Sequence, residues 1–324
     1  MEQKNIVTVI CMVYNHEKYL AQCLDGIVMQ KTLFPFEALI HDDASTDGSA
    51  AIIRSYAEKY PEMIKPIWEQ ENRFSKHDGS IRRVIAEATA PSTQYYAYCE
   101  GDDYWTDPLK LQKQVDYLDT HPDIIICSHT YYNNNESTGK SEWPFKTNYS
   151  KQEESITVYR FDRDNYWKRW AVQPLTCMYR RGDYLGQIPY KKYKEMFDII
   201  FFYYVLGYGK GAMLQDNMGV YRIHNNGLWS SLSTEKQYQF RYKESLSIYQ
   251  IEHDKRILYD IEQSAKRLSI FYLKTGKDKK AIDFWRRYRQ DVPFWSTFKI
   301  MRKTICRVPK IYIKRLVRKL STAL

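Results

Sequence analysis

Two phosphate-binding signatures are missing from this sequence. No Gly-x-Gly-x-x-Gly follows the first apolar run, and no Gly-x-x-x-x-Gly-Lys-Ser/Thr occurs anywhere. The two common glycine cradles for nucleotide phosphates are therefore excluded. Paired cysteines are missing as well. Cys11, Cys23, Cys99, Cys127, Cys177 and Cys306 stand without CxxC or zinc-type Cys/His spacing. Several lie in apolar runs, as expected of reduced, buried thiols in a cytosolic compartment. The longest apolar run, residues 199–206, is far short of the ~20 residues that cross a bilayer. The start, Met1-Glu2-Gln3-Lys4-Asn5, lacks the basic-then-apolar pattern of a secretion signal. These absences predict a cytoplasmic protein. There is no internal repeat and no low-complexity block.

Acidic residues also run out: none follows Asp291. Nine cations do follow it, namely Lys299, Arg302, Lys303, Arg307, Lys310, Lys314, Arg315, Arg318 and Lys319. The whole chain carries 49 basic and 39 acidic residues, a net charge of +10, so this short tail holds nearly all of the excess. Trp295, Phe298, Ile305, Ile311, Leu316 and Leu320 interleave with the cations, and Pro309 divides the segment. A basic amphipathic stretch of this kind predicts attachment to an anionic membrane surface. Each cation near such a surface contributes on the order of 1 kcal/mol. The expected location is therefore peripheral, at the inner face of the plasma membrane. A partner-docking helix is the alternative. The Ile and Leu content argues against a nucleic-acid arm, and no nucleic-acid partner is expected.

What the chain does have is alternation. Residues 6–13 form an apolar run ending in Tyr14-Asn15, the pattern of a strand buried on both faces. Helical spacing follows over residues 16–29, then strand (36–40), helix (49–60), strand (64–68), helix (80–88) and strand (95–99). A helix opened by Pro108 runs to about residue 120, and a strand covers 124–127. This predicts an α/β fold built on a mostly parallel sheet sandwiched by helices. Ligands bind such sheets at the carboxyl ends of the strands. Tyr14-Asn15, Asp42-Asp43 and Glu100-Gly101-Asp102-Asp103 all fall at such ends. Residues 133–151 read as a polar surface loop and 173–180 as a strand. Residues 234–274 and 278–290 read as helices. Aromatics make up 15% of the chain, with 29 tyrosines, a composition that suits sugar- or base-binding surfaces as well as an aromatic core.

Without a glycine cradle, such a sheet can handle phosphates through a divalent metal held by carboxylates. Three acids within four residues offer that chemistry; a solvated turn capping the next helix is the other reading. Three segments then carry a resemblance: Val7-Thr8-Val9-Ile10-Cys11-Met12-Val13-Tyr14-Asn15, His41-Asp42-Asp43-Ala44-Ser45-Thr46-Asp47-Gly48-Ser49 and Glu100-Gly101-Asp102-Asp103-Tyr104-Trp105-Thr106-Asp107-Pro108. In this order, over about 110 residues, they make the N-terminal half resemble the inverting family 2 glycosyltransferases of the GT-A fold. The resemblance is to the bacterial polysaccharide-biosynthesis type, and fainter matches extend to about residue 230.

The resemblance implies a role for each matching residue. Val13, Tyr14 and Asn15 lie under the nucleotide, with Glu17 nearby. Asp43 accepts the imide N–H of the base, favouring uracil; helix capping is its alternative role. Asp102 is the expected metal ligand, with Asp103 as its alternative, and Mn²⁺ or Mg²⁺ is the ion. Glu100 replaces the first acid of the family's Asp-x-Asp and contacts metal or sugar. Asp198 is the general base, with Glu195 as fallback. Arg222 and His224 share a strand face by alternation. Arg222 is expected at the substrate, and His224 at the metal or the diphosphate. Arg73, Lys76, Arg82 and Arg83 are undifferentiated candidates for phosphate contacts. Trp105 reads as core.

The expected activity is transfer of a sugar from a nucleotide sugar, UDP-linked, to an acceptor hydroxyl. The expected acceptor is a lipid-linked saccharide in surface polysaccharide synthesis. A metal-dependent nucleotidyltransferase and an inactive membrane-docked scaffold are the alternatives. The expected organisation is a GT-A domain over 1–232 (nucleotide-sugar half 1–130, acceptor half 131–232). A helical extension over 233–291 and the basic tail over 292–324 follow it.

Overall fold

The computed structural model describes residues 6–76, 80–144, 151–153, 156–166, 171–193 and 198–293. The tail from residue 294 onward, Cys306 and Glu195 lie outside the described residues. The chain divides into two compact units, with the boundary between Gly227 and Leu228.

The first unit is built on one sheet. Its opening stretch follows the alternation seen in the sequence: β1 (Val7–Val13), α1 (Leu20–Val28), β2 (Phe36–Asp42), α2 (Ser49–Lys59), β3 (Ile64–Trp68), α3 (Ser80–Ala88) and β4 (Tyr95–Tyr98). β3, β2, β1 and β4 lie side by side and all pair in parallel. β1 and β2 sit inside this arrangement and are buried almost throughout, which explains why their sequences are apolar without alternation. α1 presents Leu20, Cys23, Leu24 and Ile27 to the sheet. Burying each of the larger of these side chains stabilises the unit by roughly 1.5–3 kcal/mol.

The remainder of the unit comprises β5 (Tyr104–Trp105), α4 (Lys110–Thr120), β6 (Ile124–Asn135), β7 (Lys140–Glu142), β8 (Lys151–Glu153), β9 (Ile156–Phe161), β10 (Met178–Arg180), α5 (Asp198–Val205) and β11 (Lys210–Ile223). β10 pairs antiparallel with both β4 and β6. β6 and β11 pair in parallel, and β9 and β8 follow antiparallel. The sheet is therefore mixed, parallel through the N-terminal strands and largely antiparallel beyond β4.

Several stretches differ from the sequence expectation, among them β7, which lies within the expected 133–151 loop. Residues 133–135, expected in a loop, extend β6. Their backbones pair with β11 on one side and β7 on the other, so ladder bonds outweigh the poor strand propensity of asparagine. Residues 174–176 form a single 3-10 turn, and only Met178–Arg180 is strand. Trp105 is core, 2% exposed, with its indole N–H donating to the Leu175 carbonyl at 2.8 Å. Gly26 lets α1 approach β5. A Cβ there would stand 2.8 Å from the Trp105 carbonyl oxygen, inside any tolerable contact.

The second unit contains α6 (Thr234–Glu252), α7 (Leu258–Lys274) and α8 (Asp278–Asp291). The single helix expected over 234–274 is broken. His253 adopts a left-handed conformation, φ 52°, and Asp254 caps a new turn by accepting from the Arg256 amide. The core of the three helices is aromatic: Tyr242, Phe284 and Tyr288 meet with ring centroids 5.0–6.1 Å apart.

Candidate functional site

The carboxyl ends of β1, β2 and β4 form one shelf, and hydrogen bonds between them fix its shape. The Asp43 amide donates to the Val13 carbonyl at 2.9 Å. Asn15 stands in the left-handed region, φ 57°, which asparagine tolerates better than most residues. Its side chain accepts from the Thr46 amide at 2.8 Å, and its own amide donates to the Ser45 hydroxyl. Glu17 accepts from the Gly48 amide at 2.6 Å, and its own amide donates to Asp47. Val13 is buried beneath this lattice, while Tyr14 is half exposed above it. Asp42 caps the turn through the Ser45 amide. Asp43 reaches the other way. Its two oxygens accept from the Arg73 and Phe74 amides at 2.7 and 3.0 Å, tying the segment after β3 to the shelf.

The acidic segment closes the shelf. The Gly101 amide donates to the Met12 carbonyl at 2.9 Å, holding the turn against the end of β1. Gly101 has no room for a side chain. A Cβ would stand 2.7 Å from Nδ1 of His16 and 3.1 Å from Val13. Oxygens of Glu100, Asp102 and Asp103 lie within 4.8 Å of one another. Asp103 is buried; its Oδ1 accepts from the Arg222 amide at 2.8 Å, and its Oδ2 has no partner among the described residues. Glu100 and Asp102 keep partial access to solvent.

The electrostatics show three carboxylates competing. Protein surroundings, then Asp102 and Asp198, push Glu100 up to about 8. Burial, then Asp102 and Glu100, raise Asp103 well above the carboxylate range. Burial also opposes ionisation of Asp102, but the His224 hydrogen bond and the two nearby imidazoles hold its carboxyl below its usual value. Three acids this close cannot all ionise unaided. A divalent cation would satisfy the orphaned Asp103 oxygen and the converging charge. An all-oxygen donor set suits Mg²⁺ or Mn²⁺, so the residues present fit such an ion.

β11 delivers the remaining side chains. His224, just past its end, brings Nε2 to 3.0 Å from Asp102 Oδ2; the three residues whose ligand atoms cluster are Glu100, Asp102 and Asp103. Arg222 is enclosed. Its guanidinium donates to the Asp102 carbonyl at 2.8 Å and to the Gln22 side chain, and pairs with Glu136 at 3.4 Å. The rings of Tyr19 and Tyr104 flank it at 5.0 and 4.5 Å. His16 carries no signal in the sequence beyond following Asn15, yet its Nε2 approaches Asp102 Oδ2 at 3.9 Å. Burial lowers the His16 pKa against the pull of Asp102.

Asp198 is the first residue of α5. It is reached by solvent, but dense protein on its other sides pushes its pKa up to about 6, with Arg82 pulling the other way. Its charge in turn raises Glu100, so the two carboxylates share one electrostatic neighbourhood. The four candidate cations separate. Arg73 and Lys76 pair with Glu69 and Glu71, Arg83 lies 3.8 Å from Glu87 on an exposed helix face, and Arg82 turns toward α5.

Comparison with known proteins bears on the family and the fold. Residues 8–185 match the family described as glycosyl transferase family 2. An uncharacterised protein of Mycobacterium tuberculosis is 37% identical over 235 residues, covering 71% of this chain and 62% of that protein. The match thus spans under two thirds of the relative's length. Staphylococcus aureus TarS 1-349, solved in complex with UDP-GlcNAc, superposes with a TM-score of 0.62 at 16% identity, covering 94% of this chain and 90% of that one. The mannosyltransferase PcManGT of Pyrobaculum calidifontis, solved with GDP-Man and Mn²⁺, superposes at 0.51 with 14% identity, covering 98% and 88%. At these identities the two structures establish a shared GT-A architecture.

Proposed function

The chain belongs to glycosyl transferase family 2, and from that premise we propose that it transfers a sugar from a UDP-sugar to an acceptor hydroxyl with inversion. The observation that carries the reading is the convergence of Glu100, Asp102 and Asp103, with oxygens within 4.8 Å, in the electrostatic reach of Asp198. Donor-side acids and a separate carboxylate of raised pKa are the two parts that a single in-line displacement needs.

In this reading Val13, Tyr14 and Asn15 floor the nucleotide site, and Glu17 keeps its floor rigid by holding the Gly48 amide. Asp43, whose two oxygens already accept from the Arg73 and Phe74 amides, receives the imide N–H of uracil through a remaining lone pair. Asp102 and Asp103, with Glu100, hold the divalent ion, Mn²⁺ or Mg²⁺. When bound there, that ion neutralises the charge of the departing diphosphate. His224 and Arg222 keep the acidic turn in position. Asp198, ionised above pH 6, takes the proton of the acceptor hydroxyl as its oxygen attacks the anomeric carbon and the diphosphate leaves. The TarS and PcManGT complexes with nucleotide sugars support the donor class. The nine cations after Asp291 support an acceptor presented at an anionic membrane, as a lipid-linked saccharide would be.

Calorimetric titration with UDP, with and without Mn²⁺, tests the donor assignment. We expect binding that strengthens at least tenfold with the metal; equal binding in both conditions overturns it. A screen of nucleotide sugars for Mn²⁺-dependent turnover then identifies the donor.

A further inference from the structure

α3 carries two adjacent arginines with different surroundings. Arg83 is exposed and pairs along its own helix with Glu87. Arg82 is half-buried, and its guanidinium carbon lies 5.0 Å from the centroid of the Phe201 ring. Phe201 follows Asp198 by three positions on α5, close to one turn, so the two share a helix face. Arg82 also influences the Tyr179 hydroxyl on β10. Tyr179 meets Phe201 edge-on at 5.4 Å and stacks beside Tyr98 at 6.0 Å. Arg82 therefore sits where α3, β10 and α5 come together around the start of α5.

The charged and titratable groups in electrostatic reach of Asp198 lie on three segments. Arg82 on α3 favours its ionised form, and the charge of Asp198 in turn acts on Glu100 at the end of β4 and on the Cys177 thiol in the segment before β10. Arg82 is the one cation among these described groups. The surrounding protein opposes ionisation of Asp198, and Arg82 favours it.

We propose that Arg82 is a positioning residue for the transfer reaction: seated on the Phe201 ring, it orients the Asp198 carboxylate toward the acceptor and keeps it ionised. The proposal rests on Asp198 acting as the base. A general base has to be deprotonated and aimed before the acceptor hydroxyl arrives. A guanidinium suits the task because it stays charged at every working pH and stacks flat on an aromatic face while its edge remains available. Lysine keeps the charge but loses the planar stack.

The test is the pH dependence of kcat and kcat/KM between pH 5 and 9 for the wild type, Arg82→Lys, Arg82→Met and Arg82→Gln. UDP affinity with Mn²⁺ is measured alongside. For Arg82→Met we expect the acid limb to move up by about one pH unit, the size of a partly exposed charge pair. Activity at pH 6 then falls about tenfold relative to activity at pH 8.5, with UDP affinity unchanged. Arg82→Lys keeps the limb within about 0.3 pH unit of the wild type and loses kcat. Arg82→Gln gives the same limb shift as Arg82→Met and serves if the latter fails to fold. A uniform drop at every pH, or a loss of UDP affinity with kcat intact at saturating donor, overturns the proposal. Asp198→Asn separates the two levels: full activity in that variant removes the base assignment itself, whatever the Arg82 variants do.

Discussion

Lys110 offers a test of how the interior of the first unit is held together. It opens α4, is 0% exposed, and its Nζ has no hydrogen-bond partner among the described residues. Its ammonium lies 3.8 Å from the centroid of the Trp105 ring. Burial drives its pKa from 10.5 down to about 7, against an opposing pull from the thiols of Cys99, Cys177 and Cys127. The position at a helix N-terminus disfavours positive charge further. In the unfolded chain the side chain keeps its proton to about pH 10.5. Between pH 7 and 10.5 the unfolded state therefore binds more protons, and stability rises with pH across that window. Below pH 7 both states are protonated and the folded state bears the full penalty. At about 1.4 kcal/mol per pH unit the upper bound is about 5 kcal/mol. The ring contact returns up to about 2 kcal/mol of that, and relaxation reduces it further.

Lys110→Met keeps the volume and removes the charge. We expect the variant to exceed the wild type by about 2 kcal/mol at pH 6.5, a rise of roughly 4 °C in Tm. The advantage should shrink below about 1 kcal/mol at pH 9.5. Urea unfolding followed at both pH values measures this directly. A variant that is less stable than the wild type by the same margin at both pH values would show that the ammonium is satisfied where it lies, and the reasoning would fail.

Other expectations concern the site. Asp198→Asn should lower kcat by about 10²- to 10⁴-fold with UDP affinity retained. In the wild type, kcat/KM should fall as pH drops through about 6, where Asp198 takes up its proton; an acid limb near pH 4 would contradict this. Gly101→Ala should displace His16, because the new methyl would stand 2.7 Å from its ring nitrogen. UDP binding in Mn²⁺ should weaken at least about tenfold with Tm lowered by a few degrees, read by calorimetry and a melting curve. Removal of residues 294–324 should abolish sedimentation with anionic liposomes and leave sedimentation with neutral ones unchanged.

The parallel strands and the polar clusters at their ends were legible because their signals are local. An apolar run such as β1 declares itself, and Asp42-Asp43 and Glu100-Gly101-Asp102-Asp103 follow such runs directly. What the sequence hid is set by distant partners. The asparagines at 133–135 are strand only because β11 and β7 flank them. Arg222 reads in the sequence as a candidate substrate-binding arginine; its contacts with Gln22, Glu136 and the Asp102 carbonyl come from distant parts of the chain that no local pattern reports. His16 reaches Asp102 across 86 positions, and no spacing rule reports that. Arg82 and Arg83 are indistinguishable in a string of letters; the direction of one helix face decides which of them meets Phe201.

The bond between the Arg222 amide and Asp103 joins positions 119 apart. The acidic turn is therefore not finished by the strand that precedes it. Its buried oxygen is aimed by the last strand of the same unit, so the turn takes its shape only when the chain has closed a long loop upon itself, at the entropy cost such closures carry. The proposed cation site is thus a property of the completed unit rather than of the four residues that spell the motif. The same peptide grafted elsewhere, or a fragment ending near residue 130, would keep the letters and lose the site.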